Sequence, residues 1–180
     1  HSLWGHLLWN SAKCMVEYLV EHAEDIRGKQ IVELGAGIGL PSVVASMKGA
    51  KRVVITDYPD EDLLMTIKSN VERLDLKVGC APLIAITHEP DKYGKNMEVV
   101  GHKWGSNTQQ LRDLSCGRGF DLIIISDAIF NHYAHNALLR SCSELLCDSP
   151  ESRILVSFSH HRPRLYKEDL NFFEVHLLRS

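Results

Sequence analysis

Val32-Glu33-Leu34-Gly35-Ala36-Gly37-Ile38-Gly39-Leu40-Pro41 runs from a short apolar stretch into a helix through a turn with glycine at every second position. Residues 30–34 read as a buried strand, and Pro41 suits the first turn of the helix that follows, where its missing N–H costs nothing. Glycine at 35, 37 and 39 permits positive φ and leaves the backbone bare, so a ligand can lie against exposed N–H groups at the helix start. About 20 residues on, Asp57 closes the next strand, where an acid takes ribose hydroxyls. The ligand this pattern selects contains a nucleoside. The spacing is G-x-G-x-G with Glu33 two positions before the first glycine, not the G-x-G-x-x-G of dinucleotide turns, so a nicotinamide-dependent oxidoreductase is the weaker reading.

Outward from this turn, β-rich runs alternate with helical periods, the pattern of a parallel sheet flanked by helices. Residues 10–23 carry Met15, Val16, Leu19, Val20 and Ala23 at helical spacing, with Asn10 or Ser11 as N-cap and Arg27-Gly28 as the stop. Helix over 41–47, ended by Gly49, precedes a strand over 52–56 (RVVIT) and a helix over 61–74. A third strand is expected over 98–104, and 75–96 has no sustained period and reads as a loop insertion. Residues 120–126 (FDLIIIS) form the least ambiguous strand, followed by a helix over 135–146 and a fifth strand over 153–159 (RILVSFS). A short helix over 168–173 and a strand-like 174–178 end the sequence. The expected fold class is α/β, a doubly wound Rossmann-like sheet in the order 3-2-1-4-5, in a single domain whose first 29 residues form a helical segment over the ligand site.

Composition narrows the function. The 180 residues carry 20 Lys+Arg against 23 Asp+Glu, a net charge of −3 without a basic block, so the footprint of a nucleic-acid binder is missing. No run approaches the ~18 apolar residues of a membrane span, and the first nine residues lack the layout of a secretory signal. Five cysteines, Cys14, Cys80, Cys116, Cys142 and Cys147, form no C-x-x-C pair, and the ten histidines have no matching ligand frame, so neither a disulfide framework nor a metal site is expected. Reduced thiols and a cytoplasmic location follow as expectations.

Six blocks then resemble, in order, one group of enzymes. Residues 3–10 (LWGHLLWN), 33–41, 55–60 (ITDYPD), 101–105 (GHKWG), 126–132 (SDAIFNH) and 157–163 (SFSHHRP) are similar to motifs of the fungal protein N-terminal and lysine N-methyltransferases that act on translation elongation factor 1A. That family is a nicotinamide N-methyltransferase-like branch of the seven-strand methyltransferases dependent on S-adenosylmethionine. The resemblance covers nearly the whole chain. It departs at the end, where a longer helix and an antiparallel β6/β7 pair follow the HHRP block in the family and only residues 164–180 follow it here. With the abrupt start at His1, this implies a trimmed copy with a reduced β6/β7 edge.

The resemblance implies S-adenosylmethionine as cofactor, S-adenosylhomocysteine as product, and a monomer acting on elongation factor 1A. Gly35, Gly37 and Gly39 would cradle the methionine part, with Glu33 bonding through the turn. Asp57 would take the ribose hydroxyls, its competing reading being a helix N-cap, and Tyr58 would line the adenine. Trp104 would lie against adenine and Trp9 would bring the first helix over the cofactor, core packing being the alternative for both. Asp127, Phe130 and Asn131, just after Ser126 and the fourth strand, would form the catalytic wall, because ligands in open α/β sheets bind at carboxyl ends beside the topological switch. Many lysine-directed relatives read D-x-x-Y there, so Phe130 removes a tyrosine hydroxyl from consideration. His132, His135 and His160 read as solvated turn residues outside the catalytic set. Small-molecule N-methylation, as of a pyridine, and a non-catalytic interaction module remain the alternatives.

Overall fold

The computed structural model describes residues 7–78 and 96–177. Five strands, β1 (Gln30–Leu34), β2 (Arg52–Asp57), β3 (Met97–Gly101), β4 (Leu122–Ser126) and β5 (Arg153–Ser157), make one parallel sheet in the order β3-β2-β1-β4-β5. Around it lie α1 (Asn10–Glu21), α2 (Leu40–Met47), α3 (Glu61–Val78), α4 (Gln109–Leu114), α5 (His135–Leu145) and α6 (Tyr166–Leu177). The chain walks outward from β1 to β3, then crosses back and lays β4 on the other side of β1. The loops after β1 and β4 therefore diverge at the carboxyl edge and open a crevice between them. Among the described residues no further strand joins the sheet, and no helix is long and apolar enough to cross a membrane.

Strand side chains alternate between two cores, because successive Cβ atoms point to opposite faces. Ile31, Val53, Ile55, Leu122 and Ile124 pack with Met15 and Leu19 of α1, Ala45 of α2 and Ile67 of α3. Val32, Leu34, Val54, Ile123 and Ile125 pack with Leu111 of α4, Leu138 and Leu145 of α5 and Phe172 of α6. Both faces are covered, which is why β1, β2 and β4 carry apolar residues on both faces.

Several expected boundaries move. α1 stops at Glu21 rather than residue 23 and takes Trp9 as N-cap without a side-chain cap; Ser11 Oγ instead pairs with Ser159 Oγ at 3.0 Å. The third strand ends at Gly101, leaving Trp104 three residues beyond it, and the fourth and fifth shorten to 122–126 and 153–157. Residues 75–78, expected as loop, extend α3, while 79–95 of the expected insertion and 3–6 of the first motif block lie outside the described residues. α4 was not expected from the sequence. The strand-like reading of 174–178 is overturned: α6 continues to Leu177, and residue 178 lies outside the described residues. Asp169, accepting bonds from His132 and His160, and buried Phe172 hold α6 against the domain, and that tertiary anchoring overrides local apolar alternation.

The loop after β3 is fixed by one buried imidazole. His102 Nε2 bonds Ser141 Oγ of α5 at 2.9 Å, and the same hydroxyl accepts the Gly105 N–H at 2.9 Å. Burial pushes the His102 imidazole below its ordinary 6.5, against a smaller opposing pull from Glu144. The unfolded chain thus takes up a proton at a higher pH than the folded one, so stability is full above about 6.5 and is lost as the pH falls through the folded value. Thermal unfolding at pH 7.5 and 5.5 should show a larger fall in Tm for the wild type than for His102→Gln; equal falls would remove His102 from the acid response.

Candidate active site

The glycine turn is held by the end of β2. Gly35 and Ala36 donate their N–H groups to the Thr56 carbonyl, both at 3.0 Å, and Gly37 donates to Asp57 Oδ2 at 2.7 Å. Gly35, Gly37 and Gly39 all take positive φ, +76°, +57° and +76°. A Cβ on Gly35 would stand 2.9 Å from Cζ2 of Trp104, so this glycine lets the indole lie directly on the turn. At Gly39 the neighbours of a Cβ would be Ile67 and Ile55, at 3.4 and 3.5 Å. Gly39 thus seats the start of α2 against β2 and α3, behind the cleft rather than in its wall.

A cleft of about 290 Å³ opens over the turn. Gly35, Ala36, Gly37 and Ile38 make its floor; Asp57, Tyr58 and Trp104 stand on the β2–β3 side; Ser126, Asp127, Phe130 and Asn131 stand on the β4 side; Leu7, Trp9 and Ala12 form its roof. A second hollow of about 510 Å³ adjoins it across Tyr58, Trp104, Phe130 and Asn131 and reaches Lys103 and Tyr133. The roof is stitched down by serines: Ser157 Oγ donates to the Ser11 carbonyl at 2.9 Å, beside the Ser11–Ser159 pair. Ten of the twelve site residues named from the sequence therefore line one cavity, and Glu33 and Gly39 do not.

Each oxygen of Asp57 already accepts one backbone N–H, from Gly37 (2.7 Å) and from Tyr58 (2.6 Å). Burial raises its pKa, and these two amides pull it back. A carboxylate oxygen accepts more than one hydrogen bond, so both atoms retain a site for a neighbouring diol. The N-cap reading of Asp57 fails, since Asp60 Oδ1 caps α3 by accepting the Leu63 N–H at 3.1 Å.

The β4 side is built around a strained acid. Asp127 has φ +57°, a left-handed conformation rare for a residue with a side chain. Its N–H donates to the Ser157 carbonyl at 2.7 Å, and its Oδ1 accepts the Ser159 N–H at 3.2 Å and bonds His161 Nε2 at 2.8 Å. Its Oδ2 is buried and has no partner among the described residues. An unpaired carboxylate oxygen in that position marks where a ligand donor fits. His161 was not singled out in the sequence, although the HHRP block contains it. The solvated-turn reading is corrected for His135, which is buried with Nε2 on the Ile129 carbonyl at 2.6 Å, and for His132, which is half-buried and bonds Asp169 at 2.6 Å; His160 is an exposed loop residue as expected, and it too bonds Asp169, at 2.7 Å. Asp169, 37 residues from His132, supplies the partner that local sequence does not reveal.

A parallel sheet in this order, with a bare glycine turn after β1 and an acid closing β2, defines a Rossmann-like methyltransferase domain. The family profile described as lysine methyltransferase matches residues 2–177, and the chain belongs to that family. The protein N-terminal and lysine N-methyltransferase EFM7 of Yarrowia lipolytica is 45% identical over 172 residues, which cover 95% of this chain and 62% of that protein. The protein of the same name from Schizosaccharomyces pombe is 36% identical over 178 residues, 97% of this chain and 64% of the other. The chain thus spans about three fifths of the length of these curated relatives. Among solved structures, the Trypanosoma brucei PRMT1 enzyme-prozyme heterotetrameric complex with AdoHcy is similar with a TM-score of 0.56 at 15% identity, over 80% of this chain and 38% of that one, a likeness of fold.

Glu33 shapes the site from behind. It is fully buried, and its Oε2 accepts both the N–H and the hydroxyl of Ser42, at 3.1 and 2.5 Å, pinning the first turn of α2 to β1. Its Oε1 has no partner among the described residues, and burial pushes the carboxyl from 4.5 up to about 8 despite the two Ser42 bonds. Folding therefore takes up a proton here: the stability is full below about 4.5 and is lost as the pH rises through about 8. Urea unfolding between pH 6 and 9 should show the wild type losing stability more steeply than Glu33→Gln; parallel pH profiles would show that Glu33 is ionised in the fold.

Proposed function

We propose that the chain binds S-adenosylmethionine in this cleft and methylates a protein amine, an N-terminal amine or a lysine, of translation elongation factor 1A. The observation that carries the reading is the pairing of a floor left bare at Gly35 and Gly37 with the buried, unpartnered oxygen of Asp127, which lines the same cleft. The curated relatives, named as protein N-terminal and lysine N-methyltransferases, support it. The same reading has the protein acting as a monomer in the cytoplasm without nucleic acid, with S-adenosylhomocysteine as product.

The residues fit such a cofactor. Asp57 retains acceptor sites for a ribose diol, the indole of Trp104 and the ring of Tyr58 offer apolar faces for adenine, and the floor leaves room for the methionine part beside Ser126. When bound, the sulfonium supplies an electrophilic methyl group. The chain's own contribution is placement and desolvation. Asp127 Oδ2 accepts an N–H of the acceptor amine and so orients its lone pair into the cleft, with Asn131 lining the same wall. Trp9 and Phe130 exclude water there, and a drier wall disfavours the ammonium and raises the fraction of free amine.

Methyl transfer with radiolabelled cofactor into a lysate lacking the endogenous enzyme should label one band at the size of elongation factor 1A. Label confined to small molecules would establish the pyridine-type alternative, and no label without cofactor binding would leave an interaction module. Asp57→Ala should weaken cofactor binding by roughly tenfold or more in calorimetry, as expected for losing paired charge-assisted bonds. Asp57→Asn, which keeps an acceptor for the Gly37 N–H, should restore Tm but not affinity, and wild-type affinity in a folded Asp57→Ala would refute the ribose assignment. Asp127→Ala should lower kcat by roughly tenfold or more while leaving cofactor affinity nearly unchanged, the mark of an interaction made in the transition state. Phe130→Tyr should keep most activity. A wild-type rate for Asp127→Ala at saturating cofactor would move the acceptor site elsewhere.

A further inference from the structure

One side chain outside the cleft touches three residues that line it, two on the β4 side and one in the roof. The His161 imidazole bonds Asp127 Oδ1 through Nε2 at 2.8 Å, meets the Trp9 ring edge-on at 5.0 Å and meets the Phe130 ring edge-on at 5.6 Å. Those partners come from the N-cap of α1 and the loop after β4, whereas His161 comes from the loop after β5. We propose that His161 is a positioning residue for the acceptor amine: it fixes the Asp127 carboxylate so that Oδ2 alone is left for the substrate, and it sets two aromatic rings that line the same cleft. The inference rests on the reading of the β4 loop as the acceptor wall.

Three observations support it. Asp127 stands in a left-handed conformation whose backbone bond to Ser157 fixes the main chain but not the carboxylate torsion. The carboxylate is fixed on one oxygen only, by Ser159 N–H and His161, so its second oxygen keeps one direction. The adjacent residues are occupied otherwise: His160 turns to Asp169, and Arg162 donates to the Phe130 carbonyl at 2.7 Å, tying the same loop from a second point. Because a carboxylate only accepts, the neutral imidazole must carry its proton on Nε2. No proton or bond changes hands at His161 in this role; it acts through Asp127.

The test uses the 180-residue chain in two arms. In the first, long-range nitrogen–proton NMR of the ring should find His161 as the Nε2–H tautomer with a downfield ring proton that disappears in Asp127→Ala. An Nδ1–H tautomer, or a signal indifferent to Asp127, would overturn the proposal, and this arm depends on no substrate. In the second, purified elongation factor 1A is the acceptor and S-adenosylmethionine the donor. His161→Ala should lower kcat roughly tenfold, the scale of losing one orienting contact, with cofactor affinity within about twofold of wild type. His161→Gln, whose amide nitrogen reaches the place of Nε2, should recover most of the loss. A His161→Ala enzyme with wild-type kcat, or a folded His161→Gln no better than His161→Ala, would overturn it. Asp127→Ala run alongside separates the two failures: if it too is fully active, the acceptor-wall reading falls, and if it alone is impaired, only the role of His161 does. Should wild type methylate nothing, the function reading fails while the NMR arm still decides the His161–Asp127 contact.

Discussion

Three consecutive N–H groups of the glycine turn, those of Gly35, Ala36 and Gly37, are directed at two acceptors at the end of β2, the Thr56 carbonyl and the Asp57 carboxylate. These bonds turn the chain sharply as it leaves β1, and Gly35, Gly37 and Gly39 supply the positive φ the turn contains. Once the turn is closed in this way, Asp57 is aimed over the floor and the first turn of α2 falls within reach of Glu33. The absence of a Cβ at Gly35 lets Trp104 come down from the β3 side. Floor, acid at the end of β2 and aromatic wall thus share one origin, a set of backbone bonds between neighbouring parallel strands.

The opposite wall has a different construction. The hydrogen bonds described for Asp127 come from β5 and the loop after it, through Ser157, Ser159 and His161, while Arg162 ties down the neighbouring Phe130. Backbone in that region of φ costs of order 1–3 kcal/mol and persists only where surroundings over-determine it. The strain and the unpaired oxygen occur on the same residue, which is where a site that must orient an incoming group places both.

Much of this was legible in the sequence, for physical reasons. Strands covered on both faces are largely apolar, so Val53 to Ile55 and Leu122 to Ile125 declare themselves, and a 20-residue interval separates Gly37 from Asp57 across one helix and one strand. Ends were less legible, because partners distant in sequence decide them: β3 stops where Gly101 slides under Pro59, whose Cβ would stand 2.9 Å from a side chain there. α4 escaped notice because six residues with one buried leucine carry no period. Glu33 bonds across the turn as expected, but to Ser42 of α2 from within the core, since alternation along a strand does not say which core an acid enters. The His161–Asp127 pair, 34 residues apart, depends on the path of the β5 loop, and spacing alone does not encode that path.

The serine stitch between the first helix and the last strand spans 146 and 148 residues of sequence. Contacts that close so long a loop carry a larger entropic cost than those between neighbouring elements. The roof of the cleft is thus held to β5 by contacts between distant parts of the sequence, while the floor is held by backbone bonds between neighbouring strands. A small molecule that touches Trp9 above and Gly35 below bridges the two. Its binding energy then counts toward the stability of both at once, because it binds only where roof and floor are together.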